Sequence, residues 1–269
     1  MSAWWTLLQK EYLMTRTSAL LSLAILLIGG LWLVYLSSRY NIGLIIVPAS
    51  FLLVFLLFYP ALYILKSLNW EWKITPHLWL HCPQPAWMLL SAKLAIALLQ
   101  MLAIILIAAA LLLLGISVSP IPQEVGGMTL SSLLPFVIEL GFYAAVFTVA
   151  ASIYIGAWAT LISVVNALVG HILGRFRWLA SVAAFIVAVV GFGRLQQTWI
   201  YELITRWGLI NIRLKSLPEI SDFGTHLSAN AEAHMAMAQF YTGEILFYLL
   251  LTVSLYALSA WLIDHKVEV

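Results

Sequence analysis

The chain has 269 residues, of which 64% are hydrophobic and 9% charged, with a formal net charge of +2 and a mean hydropathy of +1.02. This usage lies far outside that of soluble domains and leaves no length for a separate soluble catalytic domain. The small net charge forms no basic patch for nucleic acid, and the single Cys82 excludes an internal disulfide.

Residues 2–15 place Trp4, Trp5, Leu7, Leu8, Tyr12 and Leu13 near helical spacing, with Gln9, Lys10 and Glu11 between them. That pattern predicts an interfacial amphipathic helix over residues 1–16. Residues 17–36 carry no formal charge. About 20 such residues are what a helix needs to cross the hydrocarbon. The first apolar block is therefore read as a retained span, not a cleaved signal. A second span is predicted over residues 42–65, and residues 66–93 then form a cytoplasmic loop.

Within that loop Thr75-Pro76 reads as an N-cap followed by proline at the first helical position. A short helix over His77, Leu78, Trp79, Leu80 and His81 follows, stopped by Pro83-Gln84-Pro85. Apolar residues on such a helix serve either as a docking knob or as a headgroup anchor.

The third span is predicted over residues 94–114, followed by a Gly-, Ser- and Pro-containing loop over 115–128. The apolar stretch 133–173 is read as one long helix. Two helices would carry Arg175 and Arg177 to the side opposite the other basic residues. A fifth span follows at 179–192. Residues 195–241 form an extracellular region, in which Trp199, Ile200, Leu203, Ile204, Trp207 and Leu209 predict a short amphipathic helix or a re-entrant pair. Its polar part, 218–238, is a lid or a linker, and the last span covers 245–263.

Lys10, Arg16, Lys66, Lys73, Lys93, Arg175, Arg177 and Lys266 fall on one side, which the positive-inside bias makes the cytoplasm. Both termini are expected there, so the number of crossings is even. The expected architecture is all-α. It is one membrane domain over 1–269, a polytopic bundle of about six transmembrane helices with an amino-terminal interfacial helix and extracellular helices before the last span.

Intramembrane acids are functional candidates by default. Glu139 and Glu244 are expected near the outer ends of their spans, where they are solvated at the interface or line a pathway or outer vestibule. Asn166 and His171 are expected to bond between helices, and Arg194 to snorkel outward. Two sets, His77, His81 and Cys82, and Asp222, His226, Glu232 and His234, have metal-ligating types but not the pattern of a structural zinc site. No metal or cofactor is expected on this chain. No H-E-x-x-H or G-x-S-x-G pattern occurs, and no Gly-Lys pair exists to build a phosphate-binding loop. The chain is therefore not expected to be an enzyme.

The order of these segments, with Lys10-Glu11 in the first and Glu71…Pro83…Lys93 in the loop, resembles the ABC-2 type family of ABC transporter permeases. The resemblance implies a permease subunit, an exporter, in the plasma (inner) membrane of a prokaryote. It implies partners as well: cytoplasmic ATPase subunits carrying ATP and magnesium, a second permease as homodimer or related chain, and membrane lipid. Glu71, Pro76, His77, Leu78, Trp79, Leu80 and His81 would then couple to the ATPase, while Lys10 and Glu11 would belong to the interfacial elbow. The alternatives are an ion-coupled secondary transporter, which lacks a titrating group at mid-membrane, and a non-transporting membrane anchor or sensor.

Overall fold

In hydrocarbon a backbone N–H or C=O must be bonded within the protein, so long apolar runs fold as helices. The computed structural model of the chain describes residues 3–40, 43–74, 84–118, 130–173, 186, 190, 191, 193, 194, 196–213 and 236–266. The described elements are α1 (Ala3–Arg39), α2 (Gly43–Ile74), α3 (Ala86–Val118), α4 (Leu130–Leu173), α5 (Trp199–Thr205), β1 (Leu209–Arg213), β2 (Ala236–Tyr241) and α6 (Thr242–Lys266). Among the described residues five helices, all but α5, are long and apolar enough to cross a membrane. Their outward faces carry large apolar side chains such as Leu20, Ile28, Phe55, Leu106 and Leu250. A soluble monomer does not expose so continuous an apolar surface; the protein is a helical, multi-pass membrane protein.

Four of these helices are longer than the hydrocarbon requires. The 37 residues of α1 span about 55 Å, against about 30 Å of bilayer core. The expected interfacial segment is helical, but it is not a separate element: it runs without a break into the first span. Likewise α2 continues through Lys66 to Ile74, and α3 begins at Ala86 instead of Leu94. The expected 66–93 loop is thus mostly helix, because its polar residues find partners on neighbouring helices. Residues 133–173 form one helix, as the charge pattern required; α4 runs 44 residues with Pro135 inside.

Pairwise contacts fix the helix directions. Trp4 meets Ser91, Thr15 meets Gln100 and Gly30 meets Leu111, so α1 and α3 run parallel. Glu71 meets Lys93, Tyr59 meets Gln100 and Ile45 meets Gly115, so α2 runs antiparallel to α3. Ala145 and Val149 pack at the level of Leu56 and Met101, and Gly156 at the level of Ile64 and Leu94, so α4 is parallel to α2. Ala260 packs with Leu90, and Asp264 bonds to Ala86, so α6 also runs antiparallel to α3. Two consequences follow. The start of α1 and the end of α6 lie at the same end of the bundle. And α4 and α6 are parallel, so the chain between Leu173 and Thr242 returns from that end to the other.

Most of the expected fifth span, 179–192, lies outside the described residues, as does the Pro76–His81 segment. At the opposite end the structure adds something the all-α expectation omitted. β1 and β2 pair antiparallel, Leu209 opposite Tyr241 and Asn211 opposite Gln239, with an irregularity between Ile212 and Arg213. The expected amphipathic helix there is α5. Gly208 turns the chain into the ribbon at φ 69°, a left-handed conformation open to glycine at no steric cost. Its carbonyl accepts the Thr242 N–H at 2.9 Å and the Thr242 hydroxyl at 2.8 Å, which fixes the ribbon to the start of α6.

A buried charge cluster at one end of the bundle

Lys93, Glu11 and Glu71 lie in the polar turns that flank the apolar runs of α3, α1 and α2. Helix directions bring these three ends together. The Lys93 ammonium donates to Glu11 Oε1 at 2.8 Å, Ser67 Oγ at 2.8 Å and Glu71 Oε1 at 2.9 Å. An ammonium has three N–H donors, and all three are used. The side chains are 2% (Lys93), 7% (Glu11) and 5% (Glu71) exposed, so this cluster is interior to the protein. Charged groups are buried only when paired and hydrogen-bonded, and both conditions hold here.

The three buried groups sum to one negative charge. Lys10, exposed to solvent, brings its ammonium to 3.9 Å from Glu71 Oε1 and balances that excess from the rim. Tyr63 adds a long hydroxyl contact to Glu11 Oε2 at 3.4 Å. Further into the bundle, Gln100 donates to Thr15 at 2.9 Å and accepts from the Tyr59 hydroxyl at 2.8 Å. In the other direction, toward the start of α1, the Trp4 indole donates to Ser91 at 3.2 Å. A continuous polar seam therefore binds α1, α2 and α3. It is extended to α6 by Asp264, whose Oδ1 accepts the Ala86 N–H at 3.1 Å. A carboxylate at the first turn of a helix satisfies an orphan donor and complements the positive end of the helix dipole.

Of the expected coupling residues, the structure places Glu71 in this cluster. Pro76, His77, Leu78, Trp79, Leu80 and His81 lie outside the described residues, in the connection between the end of α2 and the start of α3. Of the expected elbow residues, Lys10 is exposed, as an interfacial residue should be. Glu11 is not: it faces α3 and is buried against Lys93, because α1 packs along α3 over this stretch instead of lying flat on lipid. Glu139 and Glu244 sit half-buried at the ribbon end. Glu244 falls in the first turn of α6, where the helix dipole favours a carboxylate. Near it Tyr201 packs edge-on against Phe247 at 5.3 Å; partial burial pushes its phenol up to about 12, so it remains protonated.

Asn166 does not make the expected helix–helix bond among the described residues. Among the described residues its Oδ1 is buried without a hydrogen-bond partner, as is Ser163 Oγ on the same helix. The side chain of His171 and the polar residues Cys82, Asp222, His226, Glu232 and His234 lie outside the described residues. Among those described, no group of three metal-ligating side chains gathers.

Sequence reasoning singled out Glu11, Glu71 and Lys93 without pairing them, and it missed Ser67, Tyr63, Thr15, Gln100 and Tyr59. One signal for the missed set was available. Gln100 is the strongly polar residue inside the otherwise apolar 94–114 run, and such a residue needs a partner on another helix. Compared with known proteins, the chain matches no family model, no curated protein and no solved structure.

Proposed function

We propose that this chain is the membrane-spanning permease subunit of an ATP-driven ABC transporter, an exporter, working with separate cytoplasmic ATPase subunits and a second permease. The observation that carries the reading is the buried Lys93–Glu11–Glu71 cluster at the base of the α2–α3 connection. A segment that receives a push from a soluble partner needs a rigid base, or the push dissipates as local bending. Here one charge-assisted bond, Lys93–Glu71, closes α2 on α3, a second, Lys93–Glu11, clamps that base to α1, and Asp264 ties it to α6. The segment Pro76–His81, which links the end of α2 to the start of α3 in the sequence, is assigned the docking role. The nucleotide is assigned to a partner, a reading supported by a sequence that holds no Gly-Lys pair for a phosphate-binding loop.

The cluster end is assigned to the cytoplasm of a prokaryotic cell. Lys10, Arg16, Lys66 and Lys93 are at that end, Lys266 is the last residue of α6, which finishes there, and Arg175 and Arg177 follow the end of α4 in the sequence. The return of the chain between α4 and α6 is assigned to the apolar run 179–192, which makes six crossings. Movement of the clamped ends of α1, α2 and α3 as one body is the route by which nucleotide-driven closure reaches the pathway.

The test is assembly and coupling. The chain co-purified with its ATPase should hydrolyse ATP in a way that Trp79→Ala with Leu80→Ala reduces at least about tenfold, the size expected for a lost docking hot spot. Unchanged assembly and hydrolysis in that variant would remove the docking assignment. Gradient-driven flux by the isolated chain in liposomes would replace this reading with an ion-coupled transporter. Stable complexes with no flux would replace it with an anchor or sensor.

A further inference from the structure

Beside the polar seam, on the outer side of the α1–α3 pair, a groove of about 190 Å³ runs along the two helices. It is far larger than the roughly 30 Å³ share of one water. Small residues, Ala19 and Ala103, open it, and Leu20, Leu23, Ile96 and Leu99 are among its apolar walls. Gln100 also lines it, with its amide nitrogen bonded to Thr15 and its amide oxygen to Tyr59. The Ser22 hydroxyl is bonded to the Ala19 carbonyl. The groove therefore offers hydrocarbon contact along its length and a cation at its mouth.

That cation is Arg16. It stands immediately before the charge-free run that begins at Thr17, so it sits at the boundary between headgroups and acyl chains. It is exposed and forms no ion pair among the described residues, while nearby Glu11 is committed to Lys93. Tyr12, also exposed, lies one turn away on the same face and shares the mouth. From Tyr12 to Leu23 the groove extends about 16 Å along α1, from headgroup level into the hydrocarbon. An arginine with tyrosine at the interface, opening onto an apolar channel directed inward, complements one molecule: a phospholipid with a net negative headgroup.

We infer that the α1–α3 groove is a binding site for an anionic phospholipid, its phosphate held at Arg16 and Tyr12 and one acyl chain lying between Ala19 and Ala103. The site needs only a membrane-spanning chain and stands independently of the transport reading.

The experiment is native mass spectrometry of the full-length chain in detergent, titrated with phosphatidylglycerol or phosphatidylcholine of identical acyl chains. Wild type should retain one phosphatidylglycerol about fivefold more tightly than phosphatidylcholine, the value of one basic residue at an anionic surface. Arg16→Gln should erase the preference and Arg16→Lys should restore most of it. Ala103→Phe, which fills the groove and leaves the charge, should weaken both lipids. Equal retention of the two lipids by wild type would overturn the proposal, since it means that Arg16 reaches only the bulk headgroup layer. Unchanged phosphatidylglycerol binding in both Arg16→Gln and Ala103→Phe would place the lipid elsewhere and also overturn it. So would displacement of the bound species by excess inorganic phosphate, which requires a site for the free anion and not for a lipid.

Discussion

Lys93 satisfies two carboxylates at once, and this makes the cluster asymmetric to mutation. Lys93→Met keeps the volume and removes the only buried cation among the described residues, leaving Glu11 and Glu71 to repel each other out of water. Breaking a buried pair in this way costs about 3–5 kcal/mol. Glu11→Gln leaves a neutral Lys93–Glu71 pair and an amide oxygen still able to accept from Lys93, so the expected loss is about 1–2 kcal/mol. Unfolding of the two variants by titration with a denaturing detergent should show this order. Equal stability would mean that the cluster is open to water in solution. Lys10 stands at the rim, 57% exposed, and Lys10→Ala is expected to change stability by less than about 1 kcal/mol.

At the scale of elements, helices in lipid gain nothing from removing apolar surface from water, so close backbone approach and a few polar contacts decide which faces meet. Gly29 and Gly30 give a matched pair. A Cβ added at Gly29 meets nothing within 4 Å, whereas one added at Gly30 collides with the side chain of Leu111. Gly30→Ile should therefore weaken the α1–α3 contact by about 1–3 kcal/mol, the usual cost of overpacking. Gly29→Ile faces outward and should be neutral or slightly stabilising through its better helix propensity. Thermal denaturation of the purified variants compares them directly, and equal melting would separate α1 from α3 at this level. Gly115 plays the same part against Ile45 where α3 crosses α2.

For the whole molecule, the helix directions make a topological prediction. Gln9, near the start of α1, and His265, near the end of α6, lie at the cluster end, and Arg206 lies at the ribbon end. With Cys82→Ser as background, Gln9→Cys and His265→Cys should react with a membrane-impermeant maleimide from one side of the membrane only, and Arg206→Cys from the other. Labelling of Gln9→Cys and His265→Cys from opposite sides would mean an odd number of crossings and would break the assignment of 179–192 as the return.

The amino-acid sequence by itself determined that this is a membrane-embedded helix bundle, because a charge-free apolar run of span length has one stable form in hydrocarbon. It also favoured one helix over 133–173, since a helix pair would carry the basic residues at its end to the other side, and α4 is that one helix. What tertiary structure alone decided is the meaning of the polar residues next to those runs. Read along the chain, Glu11, Glu71 and Lys93 look like solvated interface residues that end helices, and the 66–93 segment looks like a loop. Glu11 is 82 positions from Lys93 and Glu71 is 22, and only parallel packing of α1 on α3, with α2 antiparallel, makes them one buried cluster. A charge that finds a partner across helices lets each helix continue past the lipid, and that pairing has no periodicity for a sequence to display.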